Sequence, residues 1–301
     1  MNILEFLPIE VQTAFWTILT ASLCSIMCAL LGVWLVLQRL SLVGDAISHS
    51  VLPGIVLIFI FFGTYAPLPM IIGASVAGIL TIFLMKGFQK LAKTREDASM
   101  GAAFTMLFAL GVILITRYAS QIDLDPSCVL YGLIEFVSLN TTPVFGVEIP
   151  QALLTIVPAL LIVLVFLALF SKELLIMAFD PGLSQTLGNR PNVMYYLLMS
   201  MVALATVASF EAVGSILVIA MLIGPAATAQ LLTHRLKWMF ILSGALGILS
   251  SVLGYSLATL WNTSIAGMMA VSIGFFYALA VIYTLVVKNT RQFYLHEVKE
   301  S

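Results

Sequence analysis

Long apolar stretches dominate the chain, with short polar segments between them. Runs of about 20 residues, the length that crosses about 30 Å of hydrocarbon as a helix, lie at 13–38, 41–62, 67–85, 100–118, 150–171, 192–210, 213–233, 238–260 and 265–287. The runs within 13–62 and within 192–233 are closely joined, so one re-entrant piece would lower the count. The pattern predicts an all-α, polytopic bundle of transmembrane helices with eight or nine spans.

No proline-rich or serine-rich linker divides the chain, and the apolar character is continuous. We therefore predict a single transmembrane domain over residues 1–301, with no separate soluble domain. The composition agrees, because 61% of the residues are hydrophobic and only 9% are charged, against about 25% charged in soluble domains. A net charge of -1 without any lysine-rich or arginine-rich block excludes a nucleic-acid-binding surface.

The basic residues predict the orientation, because loops on the cytoplasmic side of a membrane collect Lys and Arg. Most of them fall into four groups: Lys86, Lys90, Lys93 and Arg95 in one loop, Lys172 and Arg190 around a second, Arg235 and Lys237 in a third, and Lys288, Arg291 and Lys299 at the end. We expect these segments and the C-terminus to be cytoplasmic. Residues 119–150, which are acidic and contain no Lys or Arg, are then outside.

One ionisable pair lies within the second apolar run. Asp45 and His49 are four residues apart, so on a helix their side chains lie about 40° apart around the axis. Ser41 and Ser48 extend this into a polar stripe. A charged group at mid-membrane costs about 2.5–3.5 kcal/mol, which a bound divalent metal would offset. One chain offers only half of such a site, whereas a two-fold dimer would bring two pairs together. The alternative is an Asp–His hydrogen bond that only ties helices together.

Prolines accompany small residues at two places. Pro53, followed by Gly54, has no N–H to donate to the His49 carbonyl, so that oxygen is free to line a pathway. Pro225 likewise frees the Met221 carbonyl in a later block that begins with Val213-Gly214 and continues to Ala229. Close packing of helices on small residues is the simpler interpretation of the later block, and a gating motion is the alternative.

A third motif lies in the cytoplasmic segment near 179–190. Asp180 followed by Pro181 is typical of a helix N-cap and first helical position, and Gly188 is typical of a helix end. Gly182 lies inside this short helix. Such a capped helix between two spans suits docking onto a cytosolic partner, although an ordinary surface turn is the alternative.

Catalytic motifs are missing from the sequence: it has no G-x-x-x-x-G-K-[ST] phosphate loop, no H-E-x-x-H and no G-x-S-x-G. We therefore expect a transport subunit without an ATPase or hydrolase activity of its own.

Together these residues resemble the membrane subunit of the manganese/zinc/iron permease family of ATP-binding-cassette importers. The resemblance lies in Asp45 to Gly54, in Val213 to Ala229 and in Asp180 to Gly188. Asp123-Leu124-Asp125 and Leu130-Tyr131-Gly132 also look like outer-side elements of the family, with Tyr131 in place of the usual Phe.

The resemblance implies a homodimeric permease in a bacterial cytoplasmic membrane. Its expected partners are a second copy of the chain, two cytosolic ATPase subunits and an extracytoplasmic metal-binding protein. By the resemblance, Asp45 and His49 contact the transported metal, Asp180 to Gly188 contacts the ATPase, and no cofactor is bound permanently. Manganese is favoured over zinc and ferrous iron, because a carboxylate ligand suits manganese and no histidine-rich loop is present to capture zinc.

Two other classes of protein remain as alternatives. An ion-coupled secondary transporter would also place an acid and a histidine at mid-membrane, but it predicts two inverted halves, and residues 150–301 contain no second Asp-x-x-x-His. An intramembrane enzyme needs a nucleophile or a complete set of metal ligands, which a single intramembrane histidine does not supply.

Overall fold

The computed structural model describes residues 8–63, 67–93, 95–118, 134–144 and 147–300, with side chains up to Val286 in the last helix. The helices are α1 (Ile9–Leu37), α2 (Val43–Ser50), α3 (Leu52–Phe62), α4 (Pro67–Ala92), α5 (Glu96–Tyr118), α6 (Gln151–Phe179), α7 (Pro181–Thr186), α8 (Pro191–Val213), α9 (Ser215–Leu232), α10 (Leu236–Trp261) and α11 (Ile265–Glu300).

Nine segments of the described chain are helical, long and apolar enough to cross a membrane, which confirms the predicted all-α bundle. The second of them, Val43–Phe62, consists of α2 and α3 together. Several helices extend beyond the apolar runs: α4 continues to Ala92 and α6 to Phe179. Hydropathy marks where a chain leaves the hydrocarbon, whereas the helical hydrogen bonds persist into the polar region beyond it.

The first helix occupies the centre of the bundle. Within α1, 67% of the most apolar window is buried, against 22% for α11, so α1 is surrounded by protein and α11 lies at the periphery. Helices α6, α8, α9 and α10 all pack against α1. Gly32 permits the closest approach, because a Cβ at this position would overlap the carbonyl of Leu222 on α9.

Two helix breaks interrupt the bundle. The first lies at Val51, between α2 and α3, where Pro53 occupies the first turn of the new helix. The second lies at Gly214, which ends α8 and begins α9 with φ 77° and ψ 162°. Only glycine adopts this backbone conformation readily, so the residue type explains why two spans are joined without a loop.

A small hairpin departs from the all-helical pattern. Strands β1 (Thr141–Val144) and β2 (Val147–Pro150) pair in antiparallel fashion, with Thr141 opposite Pro150. This hairpin lies in the segment that the charge pattern predicts to be outside. A short helical turn before it, Ile134–Phe136, is tied to α11 because Glu135 Oε1 accepts a hydrogen bond from the backbone N–H of Ile265 at 2.9 Å.

Candidate metal pathway and coupling segment

Helix α2 buries all of its residues except Asp45 and His49. The buried ones are Val43, Gly44, Ala46, Ile47, Ser48 and Ser50. The side chains of Asp45 and His49 retain 43% and 36% of their exposure. The four-residue spacing therefore places both ionisable groups on the one face of α2 that the rest of the chain covers only partly.

The two side chains point into the same space. His49 Nε2 lies 3.4 Å from Asp45 Oδ1. On its other side the imidazole meets α5, with ring centroids 5.9 Å from Phe104 and 6.1 Å from Phe108. These aromatic contacts restrict the orientation of the imidazole. A carboxylate oxygen and an imidazole nitrogen are thus held together, both being donors that transition metals accept.

The polar stripe on α2 contains fewer residues than the four that the sequence predicts. Ser41 lies in a turn before α2, and Ser48 is buried, with its hydroxyl donating to the carbonyl of Asp45 at 2.7 Å. A serine in a helix commonly bonds back to the preceding turn in this way. Asp45 and His49 alone remain on the open face. Among the described residues, no group of three or more His, Cys, Asp or Glu side chains is arranged to hold a metal.

Pro53 and Gly54 lie where three helices meet. A Cβ at Gly54 would overlap the carbonyl of Gly73 on α4, and a Cβ at Gly111 on α5 would lie 3.0 Å from Pro53 Cδ. The segment following the Asp45–His49 pair is therefore held between two glycine positions. Neither Gly73 nor Gly111 was identified from the sequence, since each lies in another apolar run and acts only through a contact distant in sequence.

Gly214 and Pro225 occupy the later block. Both are buried. Pro225 lies inside α9, one turn after Met221, and Gly224 beside it faces α11, where a Cβ would overlap the side chain of Ile273. The small residues of this block therefore serve close helix contacts, in line with the packing interpretation. Its gating alternative is not tested by this arrangement.

The segment 179–190 contains the capped helix that the sequence predicts. Asp180 Oδ1 accepts a hydrogen bond from the N–H of Leu183 at 2.9 Å, and Pro181 occupies the first turn of α7. At the other end, Gly188 has φ +83° and donates to the Gln185 carbonyl, while Asn189 donates to the Ser184 carbonyl, each at 3.0 Å. These two bonds form a Schellman motif. Both predicted ends of the helix are confirmed.

This helix presents an uncovered apolar face. Leu183 and Leu187, four residues apart in α7 and at its C-cap, are 49% and 60% exposed, whereas Ser184 is buried against the bundle. Phe179, at the end of α6 just before the extended Asp180, is 72% exposed. Gly182 is exposed, with Asp180 Oδ1 only 3.3 Å from where its Cβ would be. Apolar side chains gathered on a polar segment commonly mark a protein contact. Leu183 and Leu187 were not identified from the sequence, although their four-residue spacing is visible in it.

The outer-side elements Asp123-Leu124-Asp125 and Leu130-Tyr131-Gly132 lie outside the described residues. Their resemblance to family elements therefore stays a prediction.

Comparison with known proteins gives a consistent assignment. Residues 10–284 match the ABC 3 transport family. The chain is 43% identical to the manganese transport system membrane protein MntD of Bacillus subtilis, over 89% of this chain and 91% of that one. It is 40% identical to the zinc transport system membrane protein TroD of Treponema pallidum, over 89% and 73% of the two chains.

A solved structure has the same fold. PsaBC from Streptococcus pneumoniae, in complex with a Fab, superposes with a TM-score of 0.73 at 31% identity, and the match covers 88% of this chain and 90% of that one. The family match extends from the first apolar span into the last, and this chain belongs to the ABC 3 transport family.

Proposed function

We propose that this chain is the permease subunit of an ATP-driven importer that carries a divalent transition metal, with manganese as the favoured substrate, across a bacterial cytoplasmic membrane. The observation that carries the site assignment is the Asp45–His49 pair, which is 3.4 Å apart on the one open face of α2. Membership in the family and the metals for which the relatives are named support the class of substrate.

A second copy of the chain would complete the metal site. One protomer supplies one carboxylate and one imidazole, whereas transition metals usually take four to six ligands. Two copies related by a two-fold axis through this face would supply two of each. The partial exposure of Asp45 and His49 supports this arrangement, because groups already sealed within their own protomer would be out of the partner's reach.

The choice of metal depends on how the remaining coordination positions are filled. Four tight ligands suit zinc, while added waters or backbone carbonyls that raise the number to six suit manganese. The His49 carbonyl, which Pro53 leaves without its usual helical donor, is a candidate for such an added oxygen. The relatives are named for manganese and for zinc, so the same fold is associated with both ions.

Energy for transport would come from two ATPase subunits docked in the cytosol. The exposed face formed by Phe179, Leu183 and Leu187 supplies a contact surface for them. Helix α7 packs directly against α6 and α8, and α8 continues into α9 through Gly214. A displacement of α7 on ATP binding would therefore be transmitted to α6 and α8 through direct contacts. Alternating access requires such a coupled movement of the membrane spans.

Delivery of the metal would depend on an extracytoplasmic binding protein. The outer hairpin and the turn at Ile134–Phe136 belong to the segment predicted to face it. Glu135 fixes this turn to the start of α11, so a protein docking there would meet a structured surface.

Competitive uptake by the complete complex in proteoliposomes tests the proposal. Manganese, zinc and ferrous iron are supplied together with the binding protein, with and without ATP inside the vesicles. Uptake that needs ATP and prefers manganese is the expected result. Uptake that proceeds without ATP but follows an imposed proton or sodium gradient would indicate the ion-coupled secondary transporter instead.

A further inference from the structure

A cavity with two lysines in its lining lies between α4 and α8, at the end of the bundle where basic residues gather. It has a volume of about 510 Å³, and its lining includes Phe83, Lys86, Gln89, Lys90, Asn192 and Tyr196. None of these residues belongs to the metal pair or to the α7 segment. By the charge pattern, this end of the bundle faces the cytoplasm.

The cavity carries an excess of positive charge. Lys86 Nζ lies 3.7 Å from Glu96 Oε1 and 4.0 Å from the centre of the Tyr195 ring, so its position is fixed by one carboxylate and one aromatic face. Lys90 is exposed and forms no ion pair with any residue that the structure describes. Lys90 therefore carries an ammonium group that no carboxylate of the described residues pairs with, and an anion bound in the cavity would pair with it.

Uncharged donors complete the polar wall. Gln89 Nε2 is buried and finds no hydrogen-bond acceptor among the described residues. The amide of Asn192 lies on the opposite wall, on α8. A rotation of the Gln89 side chain into the cavity would let this donor bind a phosphate oxygen and would relieve the cost of leaving it unpaired. Lysines and amides around one cavity suit a phosphate monoanion better than a metal or a cationic group.

An apolar surface leads out of the cavity along α4. Phe83, which stacks on Tyr196 at 4.8 Å between ring centroids, is 55% exposed. The same face of α4 continues through Leu80, Val76 and Ile72, which are 46%, 61% and 55% exposed. These positions run from near the basic end of the span Pro69–Ala92 past its middle. A free phosphate would use only the cavity, whereas a phospholipid would use the cavity for its headgroup and this face for its acyl chains.

We propose that the cavity between α4 and α8 binds the headgroup of an anionic phospholipid from the cytoplasmic leaflet, with the acyl chains lying along Phe83, Leu80, Val76 and Ile72. Basic cavities between membrane helices on this side are suited to such headgroups. The bound lipid would link α4 to the first turn of α8, directly after the α7 segment. This proposal is independent of which metal is transported.

Native mass spectrometry of the full chain in its assembled form tests the charge requirement. The protein is titrated with phosphatidylglycerol and, separately, with the zwitterionic phosphatidylethanolamine. Wild type should retain phosphatidylglycerol preferentially. Lys90→Gln should weaken that retention by about fivefold, the effect expected for one lysine at an anionic surface. Lys237→Gln, an equal change of charge at an exposed position on α10, is the matched control and should retain the lipid as wild type does.

A second pair of variants tests the cavity without changing charge. Gly87 lies in the cavity wall, where a Cβ would have no neighbouring atom within 4 Å, and Gly244 on α10 has the same open surroundings. Gly87→Phe should fill the space and abolish preferential retention, whereas Gly244→Phe should not.

Three results would overturn the proposal. One is equal retention of the two lipids by wild type, and another is unchanged phosphatidylglycerol retention in both Lys90→Gln and Gly87→Phe. The third is displacement of the lipid by inorganic phosphate alone, because that would show that the cavity binds a free phosphate group without acyl chains.

Discussion

Gly111 on α5 lies against Pro53 at the break between α2 and α3, so closely that a Cβ there would be 3.0 Å from both Pro53 N and Pro53 Cδ. This contact holds the helix break that follows His49 against the helix that also carries Phe104 and Phe108. The position of the Asp45–His49 pair thus depends on a residue more than sixty positions away in the sequence.

Gly111→Leu should displace this break and impair transport. Overpacking a close helix contact costs about 1–3 kcal/mol, so we expect a lower thermal unfolding temperature of the assembled complex together with reduced manganese uptake. Gly101→Leu, on the same helix with nothing within 4 Å of an added Cβ, is the control. Equal behaviour of the two variants would show that the Pro53 contact does not position the pathway.

Gly214→Ala should destabilise the junction of α8 and α9. The backbone angles of Gly214, φ 77° and ψ 162°, cost about 1–3 kcal/mol for alanine and for any other residue with a side chain. Gly244→Ala in the interior of α10 replaces a glycine in open space and should leave stability unchanged or raise it. Thermal unfolding of the two purified variants compares them directly, and a Gly214→Ala protein as stable as wild type would remove the conformational argument.

Asp180→Ala should uncouple ATP hydrolysis from transport. Loss of the side-chain bond to Leu183 N–H weakens the start of α7 by about 1 kcal/mol, and Gly188→Ala should strain its end because of the φ of +83°. Stimulation of ATPase activity by the loaded binding protein is the measurement. Asp180→Asn keeps a capping oxygen and should restore most of the stimulation. Normal stimulation in both Asp180→Ala and Gly188→Ala would contradict the docking role.

Metal occupancy should fall as the pH is lowered. An imidazole must be unprotonated to ligate a metal, so protons compete with the metal for this pair, and occupancy should decrease as the buffer is changed from about pH 8 to about pH 5. Manganese bound to the detergent-purified complex, measured across this range, checks the direction. His234→Ala, which removes an exposed histidine from the end of α9, should leave the profile unchanged. Occupancy that stays flat down to about pH 5 would exclude a histidine ligand.

The sequence predicted those features that depend on local patterns. The apolar runs located the nine spans, and Asp180, Pro181 and Gly188 located both ends of α7, because capping is determined by adjacent residues. Asp45 and His49 were predicted to share a helix face, and four-residue spacing alone determines this when the segment is helical. The direction of the Ser48 hydroxyl was less predictable, because a serine in a helix can donate to the backbone of the preceding turn, and Ser48 donates to the Asp45 carbonyl.

Features that depend on contacts between distant segments were not predictable in this way. Nothing near Gly73 indicates that its carbonyl meets Gly54, and the cavity of Lys86, Lys90 and Asn192 exists only because α4 and α8 pack side by side. The hairpin at 141–150 was also missed, since strands of four residues lack a recognisable alternation of apolar and polar positions.

Manganese accumulation in proteoliposomes containing the complete complex tests the central claim most directly. Asp45→Ala and His49→Ala are compared with Asp97→Ala and His234→Ala, which remove the same side chains from exposed positions. Removing a metal ligand should lower uptake by more than about 10-fold, because removing even a residue that only hydrogen-bonds to a ligand costs about that much. Assembly of the complex should stay intact, and both control variants should stay active. Wild-type uptake by both Asp45→Ala and His49→Ala would contradict the assignment of this pair to the metal pathway.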